Sequence, residues 1–280
     1  MAPATPSTAT CAGPSPEAAS ILLIGDSLTQ TGFEGWVGQL AHRYQRRADV
    51  LNRGSSGYTT DFYLRYSLPY LPPSSTNVKL IIICFGANDA ALKEEDPHHH
   101  VPLDRFTSNL QQLVEHVQTT YTNSSPTILL LTPPALNHEQ RLAYQIQRFG
   151  AERATGRLER TNSNTLRYAQ AVQRVGNTTH SNVVVVVVDL FTLFTPHTQD
   201  YLSDGLHFSP AGHTAVYNAI VAALEQQAPD LHVTPCPVTE SYNNSSSTCP
   251  ALPTWGPYHD KIEANDQENS KTEVCTERKN

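Results

Sequence analysis

Ile21-Leu22-Leu23-Ile24-Gly25-Asp26-Ser27-Leu28 carries an apolar run of strand length into a turn that sets a small hydroxyl residue at the start of the next segment. Similar strand-like runs recur at a short segment near Val50-Leu51 and at residues 78–84, 127–131 and 182–188. Between them, residues 34–46, 103–120, 139–149, 161–174 and 210–227 have the apolar spacing and composition of helices. Strands alternating with helices predict an α/β domain of three layers, α/β/α, around a five-stranded, mostly parallel sheet.

Composition limits this domain to part of the chain. Among 280 residues only 39% are hydrophobic, and 20 prolines stand beside 14 glycines, so some of the length is not expected to pack. The composition shifts mark a leader at 1–19, rich in Ala, Pro, Thr and Ser, and a tail at 229–280 with an Asn/Ser run and mixed charge. The α/β domain is therefore expected at 20–228, with the leader flexible and the tail partly disordered or wrapped on the domain, where Trp255 could anchor it.

Charge and cysteines narrow the function classes. Nineteen basic against 26 acidic residues give a net charge of −7 without a Lys/Arg run, which disfavours nucleic acid as a partner. No apolar stretch approaches the roughly 20 residues of a transmembrane helix. The leader lacks the charged and apolar regions of a secretory signal and the arginines of a transit peptide. Cys11, Cys84, Cys236, Cys249 and Cys275 are odd in number and widely spaced, which fits reduced thiols and a cytoplasmic location. The sequon-like residues after Asn243 and Asn244, and a possible pair of tail cysteines, point the other way.

In an open parallel sheet the ligand crevice lies beyond the carboxyl ends of the strands. Four loops leave that edge. Gly25-Asp26-Ser27-Leu28 presents Ser27 as a nucleophile or, equally simply, as a helix N-cap. Asn52-Arg53-Gly54-Ser55-Ser56-Gly57-Tyr58 allows backbone N–H groups to approach a ligand, or forms an ordinary turn. Gly86-Ala87-Asn88-Asp89 offers the Asn88 amide as a donor or a cap. In Asp204-Gly205-Leu206-His207, Asp204 can accept the Nδ1 hydrogen of His207 and leave Nε2 to take a serine proton. Ser209 as N-cap and Pro210 at the first helical position pin that loop.

These blocks, in this order, resemble the four blocks of the SGNH, or GDSL, hydrolases. Within that family the chain is similar to the isoamyl acetate-hydrolysing esterase-like branch, through Gly25 to Gln30, Asn52 to Tyr58, Phe85 to Ala90, Leu131-Thr132-Pro133-Pro134 and Asp204 to Gly212. The resemblance covers residues 21–224 and implies a flavodoxin-like fold. It also implies a Ser27, Asp204, His207 triad and an oxyanion hole formed by the Ser27 N–H, the Gly57 N–H and the Asn88 side chain. Gly57 is chosen over Gly54 because Ser56-Gly57 fits the second block better. Two departures stand out: a charged connection at 145–160 that is longer than minimal, and Ser55 where a bulky apolar residue is expected.

The expected reaction is hydrolysis of a small carboxylic ester, of acetate type, through an acyl-enzyme without metal or organic cofactor. Deacetylation of sugars, thioester or lysophospholipid hydrolysis and acyl transfer could use the same triad, and a catalytically silent binding or scaffold protein could keep the same fold. Other features receive plainer readings. His98-His99-His100 is expected to be a solvated turn rather than a metal site, His213 a packed or capping histidine, Trp36 core or pocket wall, and the valine run at 183–188 a buried strand.

Overall fold

Strand β1 (Ala19–Gly25) is buried along its whole length. It lies inside a sheet completed by β2 (Ala48–Gly54), β3 (Val78–Cys84), β4 (Thr127–Leu131) and β5 (Val185–Val188), in the order β2-β1-β3-β4-β5. Every neighbouring pair is parallel, so the mostly parallel sheet expected from the sequence is wholly parallel among the described residues. The computed structural model describes residues 18–151, 158–178 and 183–233. The expectations for the leader before residue 18 and the tail from 234, including Cys11, Cys236, Cys249, Cys275, Asn243, Asn244 and Trp255, lie outside them.

Nine α-helical segments are described: α1 (Ser27–Gln30), α2 (Trp36–Arg43), α3 (Thr60–Phe62), α4 (Leu103–Thr120), α5 (His138–Phe149), α6 (Asn162–Gly176), α7 (Leu190–Phe194), α8 (Thr198–Tyr201) and α9 (Pro210–Gln227). Alternation along the strands assigns side chains to two faces. Ile21, Leu23, Leu80, Ile82 and Leu129 pack with Trp36 and Leu40 of α2 and Val216, Ile220 and Leu224 of α9. Leu22, Ile24, Ile81, Ile83 and Ile128 pack with Phe106, Leu110 and Leu113 of α4 and Tyr168 and Val172 of α6. Each fully buried Leu or Ile stabilises the fold by roughly 1.5–3 kcal/mol relative to exposure, so the two apolar faces together hold the three layers.

Local chemistry sets the helix starts. Asn137, Thr161 and Ser209 accept hydrogen bonds from the N–H groups of Gln140, Asn164 and Gly212, and so cap α5, α6 and α9. Pro210 occupies the first turn of α9, as expected. The helix expected at 34–46 is shorter, because Gly35 at φ −149°, ψ −118° separates a 3-10 turn at Thr31–Glu34 from α2. His213 of α9 accepts the Trp36 N–H at 3.5 Å, which makes it the packed and capping residue foreseen. Trp36 belongs to the core, with its indole N–H on the Leu28 carbonyl at 3.0 Å.

The valine run departs from its reading as a buried strand. Only Val185–Val188 form β5, whose residues alternate between buried and half-buried, and Val184 is 52% exposed. At a sheet edge there is packing on fewer sides, so β-branched residues there are not fully covered. Cys84, the cysteine among the described residues, is buried and unpaired, and burial raises its thiol pKa well above the ordinary value.

Candidate active site

The β1 and β3 carboxyl ends lie side by side, with Gly25 in register with Cys84, while the chain leaves them toward different layers. A sheet of this order opens a crevice at that divergence. All five residues singled out from the sequence reach it, except that Asp204 stands behind His207: Ser27, Gly57, Asn88 and His207 line the crevice directly.

Ser27 begins α1, and Asp26, not Ser27, is its N-cap, with Oδ1 accepting the Leu28 N–H at 2.9 Å. The capping alternative for Ser27 is thus corrected, since the neighbouring carboxylate satisfies the helix end and leaves the hydroxyl free. Ser27 Oγ lies 3.1 Å from His207 Nε2. As a first-turn residue, Ser27 also has a backbone N–H of the kind a helix leaves without an internal acceptor.

His207 is held from its other side. Its Nδ1 lies 2.7 Å from Asp204 Oδ2, and Asp204 Oδ1 accepts the backbone N–H groups of His207 at 2.7 Å and Leu206 at 3.0 Å. Burial alone would raise the Asp204 pKa, but these hydrogen bonds and the nearby imidazole outweigh it and hold the carboxyl well below the usual range. An ionised carboxylate only accepts, so Nδ1 carries the hydrogen and Nε2 presents a lone pair to Ser27. The loop can close this tightly because Gly205 adopts φ +82°; a Cβ there would stand 2.3 Å from the Asn137 carbonyl oxygen.

Gly57 sits at φ +75° in the turn closed by the Tyr58 N–H on the Ser55 carbonyl at 3.1 Å. Gly54 instead ends β2 in register with Gly25, so the residue at the crevice is Gly57. Asn88 caps no helix among the described residues. Its Nδ2 donates to the Tyr58 carbonyl at 3.0 Å, and its Oδ1 accepts from Arg160 Nη2 at 3.2 Å. A guanidinium only donates, so the amide oxygen must face it, and the second Nδ2 hydrogen remains for the crevice.

Arg160 is the functional neighbour that sequence reasoning missed. Buried to 4% exposure, it also donates from Nε to the Ala87 carbonyl at 2.7 Å and from Nη1 to Glu159 at 3.0 Å. Glu159 in turn accepts from Arg141 Nε at 2.6 Å and from Gln145, and Arg141 Nη1 lies 3.5 Å from Asp204 Oδ2. One chain of charges therefore joins the Asn88 amide to the Asp204 carboxylate. The only sequence signal was the charged connection at 145–160, whose ends Gln145, Glu159 and Arg160 form crevice wall together with Tyr144 and Arg148.

Two carboxyl groups lie deeper. Burial pushes Asp26 up to about 7 against the Leu28 hydrogen bond, and the charge of Asp89 adds to the rise. Asp89 goes up to about 6 by burial, although Thr60 donates to it from its N–H at 2.9 Å and its hydroxyl at 2.6 Å. Both support the loops under the crevice rather than lining it.

The histidine triplet lies at a turn, as expected, with His98 exposed, but His99 and His100 are half-buried and engaged. His98 packs on Phe62 at 5.2 Å between centroids, His100 engages the Ala91 carbonyl at 2.6 Å through Nδ1, and His99 lines the crevice. Among the described residues no group of three or more His, Cys, Asp or Glu is placed to hold a metal, and no helix is long and apolar enough to cross a membrane.

Comparison with known proteins gives concordant results. The sequence model of the GDSL-like Lipase/Acylhydrolase family matches residues 23–215. A mouse relative, isoamyl acetate-hydrolyzing esterase 1 homolog, is 37% identical over 219 residues, covering 75% of this chain and 83% of its own. A GDSL esterase/lipase of Arabidopsis thaliana is 37% identical over 211 residues, covering 71% and 83%. The crystal structure of a lipase/acylhydrolase from Enterococcus faecalis superposes with a TM-score of 0.54 at 23% identity, covering 78% of this chain and 98% of that one, and shares the fold.

Proposed function

Because the chain belongs to the GDSL-like lipase/acylhydrolase family of carboxylic ester hydrolases, we propose that it hydrolyses small, acetate-type esters through an acyl-enzyme on Ser27. The observation that carries this reading is the unbroken line from Asp204 through His207 to Ser27, with steps of 2.7 and 3.1 Å.

His207 Nε2 takes the hydroxyl proton as Ser27 Oγ attacks the ester carbonyl, and Asp204 stabilises the imidazolium that forms. The carbonyl oxygen becomes an oxyanion, which accepts from the Ser27 N–H, the Gly57 N–H and the free Nδ2 hydrogen of Asn88. Collapse expels the alcohol, which takes the proton from His207. Water then gives its proton to His207, attacks the acyl carbon and releases the acid, restoring the serine.

The crevice, about 460 Å³ in volume, is walled by the charged residues Glu95, Asp96, Arg141, Glu159 and Arg160 and by apolar surface from Tyr144, Phe149 and Leu206, so the acyl length is a matter for assay. The name of the mouse relative, isoamyl acetate-hydrolyzing esterase 1 homolog, agrees with a small acetate ester.

Hydrolysis of p-nitrophenyl acetate, butyrate and octanoate by the wild-type protein and Ser27→Ala tests the reading. The expected result is a Ser27-dependent rate that falls with chain length. Equal rates in the two proteins would refute the nucleophile, and a preference for octanoate would refute the small acyl site.

A further inference from the structure

A second aspartate–histidine pair faces the crevice from the loop after β3. Asp96 and His99 are three residues apart, with Nδ1 and Oδ2 at 2.7 Å, the spacing and distance also found between Asp204 and His207. Asp96 is further approached by the His99 backbone N–H at 3.4 Å and by Arg160 Nη2 at 3.7 Å. Burial would raise the Asp96 pKa, but the His99 hydrogen bonds and the charges of His99 and Arg160 prevail and lower it. Its carboxylate is therefore an acceptor, so in the neutral imidazole His99 Nδ1 carries the hydrogen and Nε2 is left with a lone pair.

That lone pair is directed into the site. Nε2 of His99 makes no hydrogen bond among the described residues, and it would lie 3.8 Å from a Cβ built on Gly57, beside the proposed oxyanion donors. His99 and Asp96 line the same crevice as Ser27, Asn88 and His207. The neighbouring histidines differ, since His98 packs at a tilt against Phe62 and His100 is bound to a carbonyl. Ser27 Oγ already has His207 as its base, so the proton transfers of ester hydrolysis leave His99 without a catalytic step.

We propose that His99, oriented by Asp96, determines specificity by accepting a hydrogen bond from a substrate hydroxyl, so that the preferred esters carry a free hydroxyl within a few bonds of the scissile carbonyl. The inference rests on the esterase reading above. A plain alkyl ester filling the crevice would strip water from Nε2 and return no donor, whereas a hydroxylated ester replaces that water. The hydroxyl can come from the alcohol or the acyl part, and either presents the same O–H to the same nitrogen.

Two isosteric pairs separate these sources: propyl acetate against 2-hydroxyethyl acetate, and ethyl propionate against ethyl glycolate. The kcat/KM ratio within each pair is measured for the wild-type protein, His99→Leu, His99→Gln and Asp96→Asn, with p-nitrophenyl acetate as reference and Ser27→Ala as blank. In the wild type at least one hydroxylated ester should be favoured by about tenfold over the value in His99→Leu. His99→Gln, whose amide oxygen accepts, should restore part of that preference. Asp96→Asn keeps both side chains but donates to Nδ1, turning Nε2 into a donor, and should reduce the preference even if His99→Leu does not fold. The responding pair identifies the side that bears the hydroxyl. Ratios that are the same in wild type, His99→Leu and Asp96→Asn would overturn the inference while Ser27-dependent turnover of the reference upheld the esterase. Absence of that turnover would instead remove the esterase reading, and the inference with it.

Discussion

Replacing Arg160 with methionine would cut the link between the charged wall and the Asn88 amide while keeping much of the side-chain volume. Arg160 contributes one charge-assisted bond to Asn88 Oδ1, at 3.2 Å, and the Tyr58 carbonyl remains on Nδ2 at 3.0 Å. Complete loss of an oxyanion donor raises a barrier by about 3 kcal/mol. With one of two anchors left, roughly half of that is expected, which is about a tenfold fall in kcat with little change in KM. Stability should also drop, by ~2–3 kcal/mol, less than for an abandoned buried charge, because Glu159 keeps Arg141 at 2.6 Å. The assay is a double-mutant cycle on p-nitrophenyl acetate with Arg160→Met, Asn88→Ala and the combined variant, each checked by thermal unfolding. Arg160→Lys, which retains charge and one donor, should fall between wild type and Arg160→Met. In the Asn88→Ala background Arg160→Met should cost little more. A further tenfold loss there would refute action through Asn88.

Other parts of the structure yield separate tests. The Asp26 carboxyl is raised to about 7 in the fold, whereas an unfolded aspartate titrates near ~4. The folded form binds the proton more tightly, so this contribution to stability is present below about pH 4 and is lost as pH rises through about 7. Denaturant titrations from pH 4 to 8 should therefore show Asp26→Asn, which keeps a cap, gaining on the wild type as pH rises; a constant difference would contradict the buried carboxyl's shift. Gly205→Ala meets both a positive φ and backbone at 2.3 Å, and should cost more than ~2 kcal/mol and most activity by moving Asp204 and His207. Gly150→Ala, at φ +81° and ψ +151° with nothing within 4 Å of its Cβ, should cost only the backbone strain of that glycine-only region, about 1–3 kcal/mol by thermal unfolding, and leave activity in place. Equal losses would show that space around Gly205 is not limiting.

Local rules made much of this architecture legible. Apolar runs fall in the central strands β1, β3 and β4, which are covered on both faces, and Ser209-Pro210 marks a helix start by cap chemistry alone. The short helices α7 and α8 were not foreseen, since four or five residues contain too little of a helical period to detect. The Asp204–His207 pair is local, three residues apart, and so is Asp96–His99, yet three adjacent histidines after Asp96-Pro97 read as a solvated turn and hide the second pair. Only the fold of the 89–101 loop sends one ring of the three inward. Arg160 lies 72 residues from Asn88 in sequence, and nothing in the local composition pairs them. Strand-end logic located the crevice, while the buried ion pairs that set its amides and carboxylates are products of tertiary contact.

Whether Ser27 is a nucleophile activated by His207 is decided by a fluorophosphonate probe, with the modified residue located by mass spectrometry. A single adduct is expected on Ser27 in the folded wild-type protein, absent from Ser27→Ala and strongly slowed in His207→Ala. No adduct on the folded protein, or one that forms at an undiminished rate in His207→Ala, would contradict that mechanism.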